Sequence, residues 1–96
     1  MLFVYGSLLD DTLMRNILGF SPKGKDATLD NYAEVSFNNF PSIVPQEGSS
    51  VYGKTYELEA EDYVKLDEWE SRYNRANVET RNGEAQVYVL KERYTK

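Results

Sequence analysis

Met1-Leu2-Phe3-Val4-Tyr5-Gly6-Ser7-Leu8-Leu9-Asp10-Asp11 is the stretch that decides the fold class. Leu2 to Tyr5 is apolar throughout, with no polar alternation, and reads as a short, fully buried strand. Gly6-Ser7-Leu8-Leu9 then reads as a turn. Asp10 or Asp11 caps a helix, because its carboxylate can accept the free backbone N–H groups of the first turn. Leu13, Met14, Ile17 and Leu18 follow at helical spacing, and Gly19 supplies a left-handed stop. The chain thus opens strand, turn, helix.

Further strands lie downstream. Ala27, Leu29, Ala33, Val35 and Phe37 alternate with Glu34 and Ser36 across residues 27 to 37, with an irregularity near Asp30-Asn31. Asn38-Asn39-Phe40-Pro41 reads as a break. Ile43-Val44 is a short extended piece, ended by Pro45 and a loop at Gln46-Glu47-Gly48-Ser49-Ser50. Val51 to Leu58 is another strand, with Gly53 at a bulge. Glu61 to Glu70 is helical by propensity and spacing. Ala76 to Thr80 is a strand, and Asn82-Gly83 predicts a two-residue hairpin turn with positive φ at both residues. Glu84 to Leu90 pairs back, with Ala85, Val87 and Val89 on one face and Gln86, Tyr88 and Leu90 on the other. The predicted order is β-α-β-β-β-α-β-β, an α+β arrangement. Its mixed sheet rolls up to hide its edges, and two short helices accompany it.

The chain has 96 residues, enough for one domain spanning residues 1–96. It is 41% hydrophobic and 14% aromatic, which argues for a globular fold over disorder. It has no Cys and no His. Disulfides, thiol nucleophiles, Cys/His zinc sites and His-assisted nucleophiles are therefore excluded, and no metal or cofactor is expected. Acid–base work falls to Asp, Glu, Tyr or Lys. The net charge of −5 leaves no basic footprint for nucleic acid or for an anionic membrane surface. The apolar run after Met1 is too short for a signal peptide or a membrane span, so the expected location is the cytoplasm.

Three groups of residues could carry chemistry. Tyr5-Gly6-Ser7-Leu8 sits between a buried strand and a helix, where successive N–H groups can face an anion or a carbonyl oxygen and Gly6 lets a ligand approach the main chain. Taken alone, a Gly-Ser stretch of this kind is usually only a turn. Glu70 is the second. On a wheel of about 100° per residue, with Tyr63 at the origin, Leu66 falls at about 300° and Glu70 at about 340°. Glu70 thus lies inside the apolar stripe, while Lys65 and Glu68 point away. A carboxylate there loses hydration and becomes a better base near neutral pH. The other reading turns it out to water at the helix end. Asp67 is a lesser candidate, or bonds to nearby backbone. Third, Tyr88 could aim its hydroxyl into a pocket, although tyrosines mostly fill core and rim positions. Arg72, Arg75 and Arg81 read as cross-strand partners of Glu79 and Glu84.

Two separated motifs agree on one family. Phe3-Val4-Tyr5-Gly6-Ser7-Leu8 resembles the Tyr-Gly-Ser/Thr-Leu loop of the gamma-glutamylcyclotransferase-like family. Leu66-Asp67-Glu68-Trp69-Glu70, followed by Tyr73-Asn74-Arg75, resembles its Leu-Asp-x-aromatic-Glu and Tyr-x-Arg block. Phe40 to Pro45 and Val51 to Leu58 resemble the stretches between. Ser71 departs from the pattern, where Gly commonly follows the glutamate, and so does Leu9-Asp10-Asp11 after the first loop. The resemblance implies a small mixed β-barrel-like fold with helices packed outside. It also implies release of an amine or amino acid from a small γ-glutamyl compound, with formation of 5-oxoproline. In that scheme Glu70 is the base, and Tyr5, Gly6, Ser7 and Leu8 hold the glutamyl group. Tyr88 completes the pocket, by position rather than by motif. The competing expectation is a non-catalytic ligand-binding or interaction module that keeps the same pocket.

Overall fold

In the computed structural model, which describes residues 1–96, the apolar run Leu2–Val4 (β1) lies at the centre of a five-stranded sheet. The other elements follow as a 3-10 turn at Gly6–Leu9, Asp11–Leu18 (α1), Gly24–Phe37 (β2), Phe40–Tyr56 (β3), Ala60–Trp69 (α2), Tyr73–Thr80 (β4) and Gly83–Leu90 (β5). A last 3-10 turn covers Glu92–Tyr94. The strand order is β2-β3-β1-β5-β4, with β1 parallel to β5 and every other neighbouring pair antiparallel. The α+β class and the mixed sheet are as the sequence implies.

Being apolar on both faces, β1 buries both. Phe3 and Tyr5 join Leu29, Ile43, Val51 and Val87 in a cluster supplied by strands and their extensions alone. Leu2 and Val4 face the other way, onto Met14 and Leu18 of α1 and Leu66 of α2. The sheet curls around the first cluster and stays open. Its edge strands meet at one corner, where the Arg81 N–H donates to the Thr28 carbonyl at 3.0 Å. There the Asn82 amide donates to the Asp26 carbonyl at 3.0 Å and to the Thr55 hydroxyl at 2.9 Å.

The helix signals hold. Asp10 is the N-cap of α1, its carboxylate accepting from the Thr12 N–H at 2.9 Å, and Gly19 ends the helix at φ +86°. A capping box of Glu59 and Asp62 starts α2.

The strand reading needs three corrections. First, Phe40 to Tyr56 is one strand, not a break, a fragment, a loop and a second strand. Asn38 and Asn39, at φ +51° and +70°, form the tight turn that joins it to β2. From the closing pair Phe37 and Phe40, hydrogen-bonded and open pairs alternate. Pro41 and Pro45 both fall on open pairs, opposite Ser36 and Tyr32, so their missing N–H groups take nothing from β2. Residues 46–49 bulge against Asn31 alone, whose side chain accepts from the Gly48 N–H at 3.2 Å. Second, Gly53 is not at a bulge. It pairs in register with Ala27, and a Cβ there would collide with the Val4 carbonyl. Third, the β4–β5 turn is centred one residue earlier than the Asn-Gly signal implies. Thr80 pairs with Gly83 across Arg81-Asn82, and only Gly83, at φ +112°, is left-handed.

Candidate functional site

A cavity of about 250 Å³ opens where β1 ends. Phe3 and Val4 of β1, with Tyr5, Ser7 and Leu8 of the turn, form one wall. Phe40 and Pro41 enter from β3, Trp69 and Glu70 from the end of α2, Arg72 from the turn before β4, Tyr73 from the start of β4, and Tyr88 from β5. Beyond the end of β1, β5 is tied to the first half of β3 by the Leu90 N–H, which donates to the Ser42 hydroxyl at 3.1 Å.

The first turn is shaped by Gly6. At φ +64° it redirects the chain from β1 into the 3-10 turn, and it sits close against the Pro41 ring. Gly6 does not itself line the cavity, whereas Tyr5, Ser7 and Leu8 do. Tyr5, at the head of this turn, has an extended backbone, and no side chain caps the turn. A helical turn that starts this way leaves its first N–H groups without partners inside the turn.

Glu70 is the C-cap of α2. Its N–H donates to the Leu66 carbonyl at 2.7 Å, and its carbonyl accepts from the Tyr73 N–H at 2.9 Å. The backbone is thus held on both sides while the carboxyl lines the cavity. The side chain is partly buried and makes no ion pair or hydrogen bond with another protein group. Burial alone pushes its pKa above the ordinary carboxylate value. The helix end and the apolar face therefore coincide at this residue.

Three tyrosines surround it, each with its hydroxyl proton committed elsewhere. Tyr5 donates to the Tyr88 carbonyl at 2.6 Å, Tyr73 to the Pro41 carbonyl at 2.7 Å, and Tyr88 to Asp67 Oδ1 at 2.7 Å. Burial raises the pKa of all three, and the Glu70 charge raises them further. The bond to Asp67 adds to the shift at Tyr88. The phenols stay protonated, and with their protons spent on the protein they can offer only lone pairs to a ligand. Asp67 is fixed in turn by Arg75, at 3.0 Å and 3.1 Å, and Arg75 also donates to Gln86 at 2.6 Å.

The structure therefore brings Tyr5, Ser7, Leu8, Glu70 and Tyr88 to one cavity. Tyr73, Trp69, Phe40 and Pro41 were not singled out for it by the sequence reading; Tyr73 and Trp69 were in plain view inside the quoted motif. The arginine assignments change. Arg75 pairs with Asp67 and Gln86, Arg81 with Asp30 at 2.9 Å, and Arg72 lies against aromatic rings. Asp67 bonds to side chains, not to nearby backbone. No group of three Asp or Glu side chains is placed to hold a metal ion, and no helix is long and apolar enough to cross a membrane.

The family model described as gamma-glutamyl cyclotransferase, AIG2-like, matches residues 2–96. The chain belongs to this family. As a member of the gamma-glutamyl cyclotransferase, AIG2-like family it has relatives in bacteria and plants. It is 31% identical over 91 residues to the gamma-glutamylcyclotransferase family protein YtfP of Escherichia coli (strain K12), covering 92% of this chain and 80% of YtfP. The YtfP solution structure superposes with a TM-score of 0.73 at 29% identity, over 95% of this chain and 82% of that one. AIG2-like protein D of Arabidopsis thaliana is 35% identical over 81 residues, which is 80% of this chain and 53% of that protein. The solution structure of At3g28950.1 from Arabidopsis thaliana has a TM-score of 0.81 at 26% identity, over 93% of this chain and 60% of that one. The chain thus spans about half to three fifths of the length of these plant relatives. The family and the fold implied by the sequence motifs are both borne out.

Proposed function

We propose that this chain is a cyclotransferase-type enzyme. It releases an amine or amino acid from a γ-glutamyl compound and forms 5-oxoproline, with Glu70 as general acid and base. One observation carries the reading: a partly buried carboxyl without an ion-pair partner shares a small cavity with the strand-end turn and three tyrosines.

The chemistry suits that set. The substrate's own α-amine is the nucleophile, and its attack on the γ-carbonyl carbon closes a five-membered ring. Holding the chain folded removes much of the entropic barrier, with effective molarities reaching about 10⁵ M or more in favourable systems. The amine arrives as an ammonium, which Glu70 and the phenol lone pairs can accept hydrogen bonds from. Glu70 takes one proton, the new C–N bond closes the ring, and the old C–N bond breaks as Glu70 returns that proton to the leaving nitrogen; the ring nitrogen sheds its second proton by the same route, so that 5-oxoproline keeps one N–H and the amine leaves as an ammonium. Backbone N–H groups of Gly6, Ser7 and Leu8 are the candidates to hold the α-carboxylate or the developing oxyanion. A protein of net charge −5 does not draw an anionic substrate in at long range, so these local groups do the holding.

The test is incubation with a panel of γ-glutamyl dipeptides, γ-glutamylamines and glutathione, assayed for 5-oxoproline. Release from at least one is the expected result. No product from any of them overturns the enzyme in favour of a binding module.

A further inference from the structure

Arg72 is the one cation in the wall of this cavity, and it has no anion. The two ion pairs of the molecule are Arg75 with Asp67 and Arg81 with Asp30, although Asp and Glu total 16 against 11 Lys and Arg. The Arg72 guanidinium instead lies over the Phe40 ring, 4.9 Å from its centre, and 5.9 Å from the centre of Tyr94. Contact with ring faces orients the guanidinium plane and uses none of its N–H groups. Arg93 lies 5.0 Å from the centre of the same Tyr94 ring. Neither guanidinium has a carboxylate within ion-pair distance, so a bound anion supplies the charge partner that Arg72 lacks at the cavity. The backbone beneath is fixed, since the Arg72 carbonyl accepts from the Lys91 N–H at 2.9 Å.

Arg72 is exposed and stands beside exposed Trp69, so it belongs to the mouth of the cavity and not to its floor. In the reaction proposed above the glutamyl unit occupies the interior and the leaving group faces the mouth. We propose that Arg72 reads a carboxylate on the leaving group, making γ-glutamyl amino acids, rather than γ-glutamylamines, the substrate class of this chain. The inference rests on that reaction. The planar fork of N–H donors matches a carboxylate in two parallel hydrogen bonds, and an amine leaving group offers it nothing.

The test uses γ-glutamylalanine and γ-glutamylethylamine, which differ only in the leaving-group carboxylate. kcat/KM for 5-oxoproline release is measured for both with wild type, Arg72→Ala and Arg72→Lys. Dissociation constants for both are measured in parallel with Glu70→Gln and with Glu70→Gln/Arg72→Ala. Wild type is expected to prefer the dipeptide. Arg72→Ala should lower that preference roughly tenfold, and Arg72→Lys should restore part of it. A preference that Arg72→Ala leaves unmoved overturns the inference. So does an equal loss on both compounds, because a structural role or a contact with the glutamyl carboxylate affects both alike. If wild type makes no 5-oxoproline from either, the proposed reaction fails, and the ratio of dissociation constants then decides the role of Arg72 alone. Equal binding of the two, or no binding of either, overturns it there.

Discussion

Glu70 carries a partly buried carboxyl into the cavity and makes no ion pair, and two measurable consequences follow from that position. With Glu70 as the proposed base, Glu70→Gln keeps the shape but cannot take the ammonium proton. Turnover should fall by about 10²- to 10⁴-fold, measured as 5-oxoproline release. The same burial makes stability depend on pH. The folded carboxyl holds its proton to higher pH than the unfolded one, so the folded state binds more protons in the window between the two pKa values. Wild-type stability therefore falls as pH rises through that window, from about 4.5 upward, and levels off above the raised value. Glu70→Gln lacks this decline. Paired melts should show the mutant gaining on wild type as pH rises, with no gain below the window; a difference flat with pH removes the desolvation argument. This residue was legible because helical spacing alone put it on the apolar face. Arg75 was not. Its partner Asp67 lies on α2, eight positions back, and only the packing of that helix against β4 brings them together.

At the level of elements, both helices and β1 could be read from local signals: a cap and a glycine stop for α1, propensity and spacing for α2, and an unbroken apolar run for β1. β3 could not. Proline ordinarily marks the end of a strand, and two prolines with a polar, glycine-containing stretch made one 17-residue strand look like three pieces. What rescues it is register: each proline lands where no ladder hydrogen bond is required, a fact set by the turn at Asn38-Asn39. The two hairpin turns divide similarly. Asn82-Gly83 carries the stronger sequence signal, yet the turn with two left-handed residues is at Asn38-Asn39. Gly53 supplies the prediction at this scale. The central strands approach so closely there that any side chain meets the Val4 backbone carbonyl, which cannot swing aside. Gly53→Ala should cost about 3 kcal/mol or more in chemical denaturation, whereas a bulge glycine would tolerate alanine far better.

Across the whole molecule, the curled sheet is held at its open corner by β2 and the β4–β5 turn. Asn82 spans that seam with two hydrogen bonds, while the Arg81–Asp30 pair lies in water. Asn82→Ala should therefore destabilise by about 1–2 kcal/mol, since it strips a partner from the buried Thr55 hydroxyl. Replacing the Arg81 side chain by alanine should cost less than Asn82→Ala does, and less still in high salt. Melts of the two variants at two ionic strengths check the order. The central place of β1 has a consequence in time as well as in space. Tyr5 and Tyr88, which join across the cavity wall, stand 83 positions apart in the chain. A topology so rich in distant pairings folds slowly for its size, in milliseconds to seconds. During synthesis the first-made strand must wait, with one flank uncovered, until the ribosome has released the last hairpin, and the cavity is among the final features of the molecule to come into existence.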